Sequence, residues 1–181
     1  MRVLIVYATT EGQTRKIAER IAEQVRERGH EAELRNAADW QSDFHLDAFD
    51  RVIVAGSVHE RQHQRPLTIF VPAHLAQLHA RPTLFVSVSL SAAFPDGLAE
   101  AQTYVDEFLN DVKWKPSQVL LAAGALRYEE YDYFMEQIVR FVVLKDREAA
   151  NAHGDHEFTD WDALAGAVDA FLDAEAVPSG A

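Results

Sequence analysis

Cysteine is absent from this 181-residue chain. That removes disulfides, thiolate zinc sites, iron–sulfur clusters and thiol redox chemistry together. Basic residues are scarce as well: 17 Lys+Arg stand against 29 Asp+Glu, a formal net charge of −12. With no basic stripe to neutralise a phosphate backbone, nucleic acid is not expected as a partner. No apolar run nears membrane-spanning length. Met1-Arg2-Val3 leads straight into the first apolar run, which leaves no room for a signal peptide. Internal repeats and low-complexity linkers are also missing, and only the tail Val177 to Ala181 reads as disordered. The expectation is a cytoplasmic protein whose length suits one domain with a sizeable core.

What is present is organised around Val3-Leu4-Ile5-Val6-Tyr7-Ala8-Thr9-Thr10-Glu11-Gly12-Gln13-Thr14. A continuous Val/Ile/Leu run is how a strand of a parallel sheet reads, because helices cover both of its faces. The run breaks into a small, hydroxyl-rich turn, and a helical pattern starts directly after it. Such a turn aims unpaired backbone N–H groups and the positive end of a helix dipole at one spot. Phosphate is the usual occupant. On this reading the hydroxyls of Thr9, Thr10 and Thr14 donate along with the backbone, and Gly12 lets the chain turn tightly. Thr10 with Gln13 also fits a capping box, an ordinary helix start. The two readings are compatible, since a phosphate loop without its ligand still begins a helix. There is no lysine for a P-loop, and the glycines are too few for a dinucleotide fingerprint. Glu11 is unfavourable beside a phosphate and is expected to point away to solvent.

The rest of the chain alternates strand and helix. Ile17, Ala18, Ile21, Ala22 and Val25 recur at helical spacing up to the stop at Gly29. Ala32 to Arg35 is short and polar enough for an edge strand, and Trp40 to Asp47 reads as a loop or a single helical turn. Val52 to Ser57 is a second buried strand ending in small residues. Pro66 begins a helix with Phe70, Val71, Leu75 and Leu78 on one side. Thr83 to Ser89 is the fourth strand and Leu90 to Gly97 a loop. The next helix carries Ala101, Tyr104, Val105, Phe108 and Leu109. Val119 to Gly124 is the fifth strand. This pattern implies an α/β, doubly wound parallel sheet. After it, Tyr131 to Arg147 holds Tyr131, Phe134, Met135, Ile138, Phe141 and Val142 at helical spacing. That is one aromatic helix more than the minimal fold needs. A polar loop, Glu148 to Glu157, and a last helix from about Thr159 to Ala174 close the chain.

In such a sheet ligands sit at the carboxyl ends of the strands, where strand order reverses. Three loops should therefore meet: Thr9–Thr14, Ser57–Arg65 and Ser87–Gly97. The last two place small residues next to the strand and planar groups, His59 and Phe94, further on, which suits a flat aromatic ligand between loops. His59 and His63 with Arg61 and Arg65 form a basic patch suited to an anion; no carboxylate completes a metal set. His153 and His156, beside Asp155, read as solvated. A phosphoacceptor receiver needs paired acids after the first strand, an aspartate ending the third and a lysine ending the fifth. Thr9-Thr10, Gly56-Ser57 and Ala123-Gly124 stand in those places, so that reading fails.

Val3 to Tyr7 with Thr9-Thr10-Glu11-Gly12-Gln13-Thr14 resembles the FMN phosphate loop of flavodoxins. Gly56-Ser57, Phe85 to Leu90, Trp114-Lys115-Pro116, Ala123-Gly124-Ala125-Leu126-Arg127-Tyr128, Tyr133-Phe134-Met135 and Phe158-Thr159-Asp160-Trp161 extend the likeness over nearly the whole chain. With these, the chain is similar to the menaquinone-dependent protoporphyrinogen IX dehydrogenases of bacterial haem synthesis. The Gly-Ala-Leu-Arg-Tyr and Thr-Asp-Trp segments are the discriminating ones.

The resemblance implies a flavodoxin-like sheet of five parallel strands in the order 2-1-3-4-5, with an extra helical segment after the fifth. A single FMN-binding domain would span 1–176, with an insertion at about 125–158 and a tail at 177–181. It implies an enzyme that oxidises protoporphyrinogen IX with a quinone as acceptor, the flavin carrying the chemistry and no catalytic triad needed. By position Thr9, Thr10, Gly12, Gln13 and Thr14 would hold the phosphate, with Glu11 in the same loop. Ser57, Val58, His59 and the stretch Ser87, Val88, Ser89, Leu90 to Phe94 would flank the ring. Arg127, beside Tyr128, would pair a porphyrin propionate, with an ion pair to Glu129 or Glu130 as the plain alternative. The family's extra segment is basic, whereas Glu129, Glu130, Asp132 and Glu136 lead this one, and an acidic helix gains little from anionic lipid. Membrane contact is therefore expected to be peripheral at most. The alternative is a flavodoxin-type electron-transfer protein, or another FMN/quinone reductase, whose acidic surface steers it to a basic redox partner. A flavin-free structural or regulatory protein is a third reading. Oligomeric state is left open.

Overall fold

The computed structural model describes residues 1–39, 44–126 and 156–175. Strand β1 (Arg2–Ala8) leads through a turn into helix α1 (Gln13–Glu27), and β2 (Glu31–Asn36) follows with a 3-10 turn at Ala37–Asp39. Next come β3 (Arg51–His59), β4 (Gln62–His63), α2 (Arg65–Ala73), α3 (Leu75–His79) and β5 (Thr83–Ser89). Two 3-10 turns, Ser91–Ala93 and Pro95–Gly97, precede α4 (Leu98–Val112). Strand β6 (Gln118–Ala123), the short strands β7 (Ala125–Leu126) and β8 (His156–Glu157), and the helix α5 (Trp161–Asp173) complete the described chain.

The parallel sheet has the order β2-β1-β3-β5-β6, which is 2-1-3-4-5 when the parallel strands alone are counted. Alternation along each strand feeds two cores. Val3, Ile5 and Tyr7 of β1, with Ile53, Ala55, Leu84 and Val86, meet Ile17, Ile21 and Val25 of α1 and Leu164, Val168 and Phe171 of α5. Leu4, Val6, Val52, Val54 and Phe85 point the other way, to Leu67, Phe70 and Val71 of α2 and Val105 and Phe108 of α4. Burial on both faces is why the central strands are apolar at consecutive positions. Between β1 and β3 the chain reverses its direction of travel across the sheet. The carboxyl ends of β1, β3 and β5 therefore face one crevice.

Two expectations are corrected here. The helix expected from Pro66 through Leu78 is two helices that meet at His74. Pro72 lies in the last turn of α2, where it has no N–H for the helical ladder and its ring crowds the carbonyl of Thr68. The Phe70 carbonyl closes the end of α2, accepting from the His74 N–H at 3.2 Å with the His74 ring Nδ1 2.9 Å away. Second, His63 does not share an exposed basic patch with His59. It belongs to an antiparallel hairpin in which Val58 pairs with His63 and His59 with Gln62. It is 7% exposed, and its ring lies 5.2 Å from Phe85 and 4.8 Å from Phe108. Segments 40–43, 127–155 and 176–181 lie outside the described residues. With them lie half of the expected loop from Trp40 to Asp47, the expected helix Tyr131 to Arg147, His153 and Asp155, and the tail.

His63 Nε2 is 2.9 Å from Ser87 Oγ, while Nδ1 is buried with no partner. A bare ring nitrogen is tolerated more readily than a bare N–H, so we assign the proton to Nε2, donating to Ser87. Burial lowers the His63 pKa from 6.5 to about 4. Between those values the unfolded chain binds the proton and the fold does not, so stability falls as pH drops through that window and levels off below it. The expected contribution is about 3 kcal/mol. Urea unfolding midpoints of the wild type and H63Q, compared from pH 6.5 to 4, should converge as pH falls. Parallel curves would show that His63 carries no such linkage.

Candidate functional site

The turn after β1 is built to leave donors open. Thr9 Oγ1 accepts from the Gly12 N–H at 2.9 Å, which closes the turn. Gly12 then takes φ 96°, ψ −15° as the N-cap of α1, a left-handed conformation that side chains with a Cβ adopt at a cost. A Cβ at Gly12 would meet nothing within 4 Å, so conformation, not space, is what requires glycine here. No side chain caps the helix. The capping box expected from Thr10 and Gln13 is therefore not formed. Gln13 instead reaches across the fold: its Nε2 donates to Thr159 Oγ1 at 2.9 Å, and that hydroxyl donates to the Ala123 carbonyl at 2.8 Å. The first-turn amides of α1 are left without intrahelical acceptors, and that turn contains no acidic residue. Beside them Thr14 is 1% exposed, and its Oγ1 has no hydrogen-bond partner.

These groups open into a cavity of about 490 Å³. Thr9, Thr10, Glu11, Gln13 and Thr14 line it, together with Ser57, Val58 and His59 from the end of β3 and Val88, Ser89 and Leu90 from the end of the neighbouring strand β5 and just past it. Ser57 Oγ is a second buried hydroxyl without a partner. Two loops thus present orphaned donors to one space, and such groups are costly unless something fills it. The β5 loop is folded tightly on itself: a Cβ at Gly97 would stand 2.2 Å from the Ser91 carbonyl oxygen.

The remaining candidates fall elsewhere. Gly12 shapes the turn without lining the cavity. Glu11 is half-exposed but stays in the wall instead of turning clear of it. Ser87 does not reach the cavity; it is 0% exposed, one pleat down in β5, with His63 as its partner. Phe94, expected as a planar flank, is buried and packs against Phe158 with ring centroids 5.7 Å apart. An apolar ring gains more from that contact than from a polar mouth. Arg127 and Tyr128 lie outside the described residues.

Sequence reasoning missed part of the lining. Gly124 and Ala125, just past β6, belong to it, and so do Glu100 and Tyr104; Glu60, Arg61 and Ser91 come from the two loops expected to meet there. Glu100 and Tyr104 are four apart at the start of a helix and so share a face, a signal hidden by reading Tyr104 as core. Strands β7 and β8 pair antiparallel, Ala125 with Glu157. Gly124 N–H donates to the Ser89 carbonyl and Phe158 N–H to the Gly124 carbonyl, both at 3.1 Å. The chain therefore departs after Leu126 and returns at His156 beside the cavity. Its return is fastened to α1: Lys16 pairs with Glu157, and Trp161 Nε1 donates to Glu157 Oε1 at 2.9 Å. Burial alone would raise the Glu157 pKa, but hydrogen bonds from Lys16, Trp161 and Gln13 hold it below the usual carboxylate value. Among the described residues, no helix is long and apolar enough to cross a membrane.

A family model described as "Flavodoxin domain" matches residues 4–152. The "Protoporphyrinogen IX dehydrogenase (quinone)" of Escherichia coli K12 is 28% identical over 171 residues, 91% of this chain and 91% of that protein. The protein of the same name from Leishmania major is 28% identical over 165 residues, 90% of this chain and 71% of its own length. Oxidised flavodoxin 1 from Bacillus cereus superposes with a TM-score of 0.51 at 17% identity, covering 81% of this chain and all (100%) of that one. The two-electron reduced flavodoxin of Megasphaera elsdenii gives 0.52 at 14% identity, over 66% of this chain and 84% of that one. The last two establish a shared fold.

The orphaned Thr14 hydroxyl makes a prediction about the ligand-free protein. Thr14→Val keeps the shape and removes a buried donor without a partner, so it should stabilise the empty fold by about 1 kcal/mol. Thermal unfolding measures this. A loss of stability would reveal a partner for the hydroxyl inside the fold.

Proposed function

The chain belongs to the flavodoxin domain family, and from that we propose that its cavity holds FMN and that the protein oxidises protoporphyrinogen IX with a quinone as acceptor. The observation that carries the FMN reading is the pair of buried, unpartnered hydroxyls of Thr14 and Ser57 on two walls of one cavity. The residues present fit the group. The Thr14 hydroxyl and the open amides of the first turn of α1 would hold the phosphate, with no acid in that turn to oppose it. Ser57 to His59 and Val88 to Leu90 would flank the ring. Bound there, FMN supplies the electron-accepting chemistry that a chain without cysteine lacks.

The chain's own residues supply the rest. Val58, Val88 and Leu90 give the walls an apolar surface that excludes water. Gly12 holds the turn in the one conformation that keeps its donors converged. Gln13, Thr159 and Ala123 tie that turn to the place where the chain returns to the sheet. The substrate half of the proposal is supported by the extent of the likeness to the two dehydrogenases, which covers 91% and 90% of this chain. An acidic surface at a net charge of −12 favours the second reading, an electron-transfer protein steered to a basic partner.

Protoporphyrinogen IX mixed with the FMN-loaded protein and a soluble quinone should give porphyrin fluorescence faster than air oxidation does, with quinol formed in step. No acceleration would remove the porphyrin reading and leave electron transfer. Thr14→Val should weaken FMN binding about ten-fold or more, the scale of one charge-assisted hydrogen bond. A purified protein that is colourless, and whose melting temperature FMN leaves unchanged, would contradict both readings.

A further inference from the structure

Beyond the ring walls the cavity ends in a polar corner made by Arg61, Ser91, Glu100 and Tyr104, and nothing in the reading above uses it. Arg61 is the only lysine or arginine among the described lining residues. It sits at the tip of the β3–β4 hairpin, whose two connecting residues both have positive φ, Glu60 at 49° and Arg61 at 67°. Asn-Gly is the pair such a two-residue turn favours, because a Cβ is strained there. The His59–Gln62 pairing and the buried His63 ring hold the turn in place all the same. Backbone held uphill in this way is characteristic of ligand sites.

The strained turn presents the Arg61 guanidinium to the cavity. Its Cζ stands 5.7 Å from the centroid of the Tyr104 ring, and Nη1 is 3.5 Å from Glu100 Oε1. That ion pair is loose, and the Arg61 side chain is 67% exposed, so the contact contributes little. Glu100 does not depend on it, because Ser91 Oγ donates to Glu100 Oε2 at 3.0 Å. Burial, with the Glu100 carboxylate nearby adding to it, raises the Tyr104 pKa, which keeps the phenol neutral and able to donate. Arg61 thus keeps most of its planar fork for a carboxylate arriving from solvent. On a chain of net charge −12, an anionic substrate needs such a local cation to enter at all.

We propose that Arg61 anchors a carboxylate of the substrate, with Glu100 as a placeholder that keeps the guanidinium over Tyr104 until that carboxylate takes its place. This rests on the proposed function, where the carboxylate is a propionate of the tetrapyrrole. Arg61 then sets specificity: it selects for the free acid over a neutral analogue of the same shape.

The test compares the wild type with R61Q, R61K, R61G and E100Q, using protoporphyrin IX and its dimethyl ester as binding probes and the two corresponding porphyrinogens in turnover. In R61Q the Kd and KM for the free acid should rise about ten-fold or more, one charge-assisted contact, with kcat and FMN affinity close to wild type. The ester should shift far less. R61K should recover part of the loss. R61G should lose the same discrimination while raising the melting temperature, because glycine relieves the positive φ; that separates a lost anchor from a misfolded turn. E100Q should bind the free acid more tightly. Equal effects of R61Q on acid and ester, or none on either, would overturn the proposal. If the wild type turns over neither porphyrinogen, the parent reading falls. The binding arm then still decides the subsite: an Arg61-dependent preference for the acid supports it, and no preference overturns it.

Discussion

A hydrogen-bonding group buried without a partner is among the costlier things a fold can hold, and the site is arranged around keeping a few of them that way. Gly12 at φ 96° turns the chain so sharply that α1 starts with no side-chain cap. The Thr9 hydroxyl is spent on Gly12 itself. Thr14 and Ser57 are left facing each other's space without partners. The parallel sheet makes this possible. Its cores take up the apolar residues of both strand faces, and the reversal between β1 and β3 leaves a crevice that none of the described helices covers.

The layers beneath and beside the crevice hold those groups still. Below it, His63 packs against the stacked rings of Phe85 and Phe108 and meets Ser87, so the hairpin that carries Val58, His59 and Arg61 is anchored by a buried ring. Beside it, the Gln13–Thr159–Ala123 chain and the Lys16–Glu157–Trp161 cluster fasten the returning strand β8 to the first turns of α1. Donor loop, hairpin and return strand are thus braced from different elements. A site for a rigid planar group needs this kind of support. The polar corner at Glu100 and Tyr104 lies where the helix α4 begins, so one helix both closes the second core and supplies the far end of the cavity.

The parallel sheet, the edge position of β2 and the bounds of β5 were legible in the sequence, because burial on two faces leaves a long apolar signature that an edge strand lacks; the strand order came from the resemblance to flavodoxins. The sharp strand-to-helix turn after β1 was legible as well, because its hydroxyls and glycine are local. What could not be read depended on partners far along the chain. Gln13 looked like half of a capping box until Thr159 was brought beside it. His63 looked like part of a basic patch, since nothing near it in sequence announces Phe85 or Phe108. Ser87 and Phe94 lie in the right loop but face inward, and one step along a strand reverses a side chain. Tyr104 was assigned to the core by its spacing, which hid its place beside Glu100. Pro72 was visible, and it divides the helix expected to run through it.

The central claim is that the turn after β1 is a preformed phosphate cradle. Calorimetric titration of the flavin-free protein with FMN and with riboflavin, which shares the ring and lacks the phosphate, tests it most directly. The account predicts that FMN binds at least about a hundred-fold more tightly, the scale of two or so charge-assisted contacts. Equal affinity for the two flavins would place the phosphate outside the cradle and contradict the account.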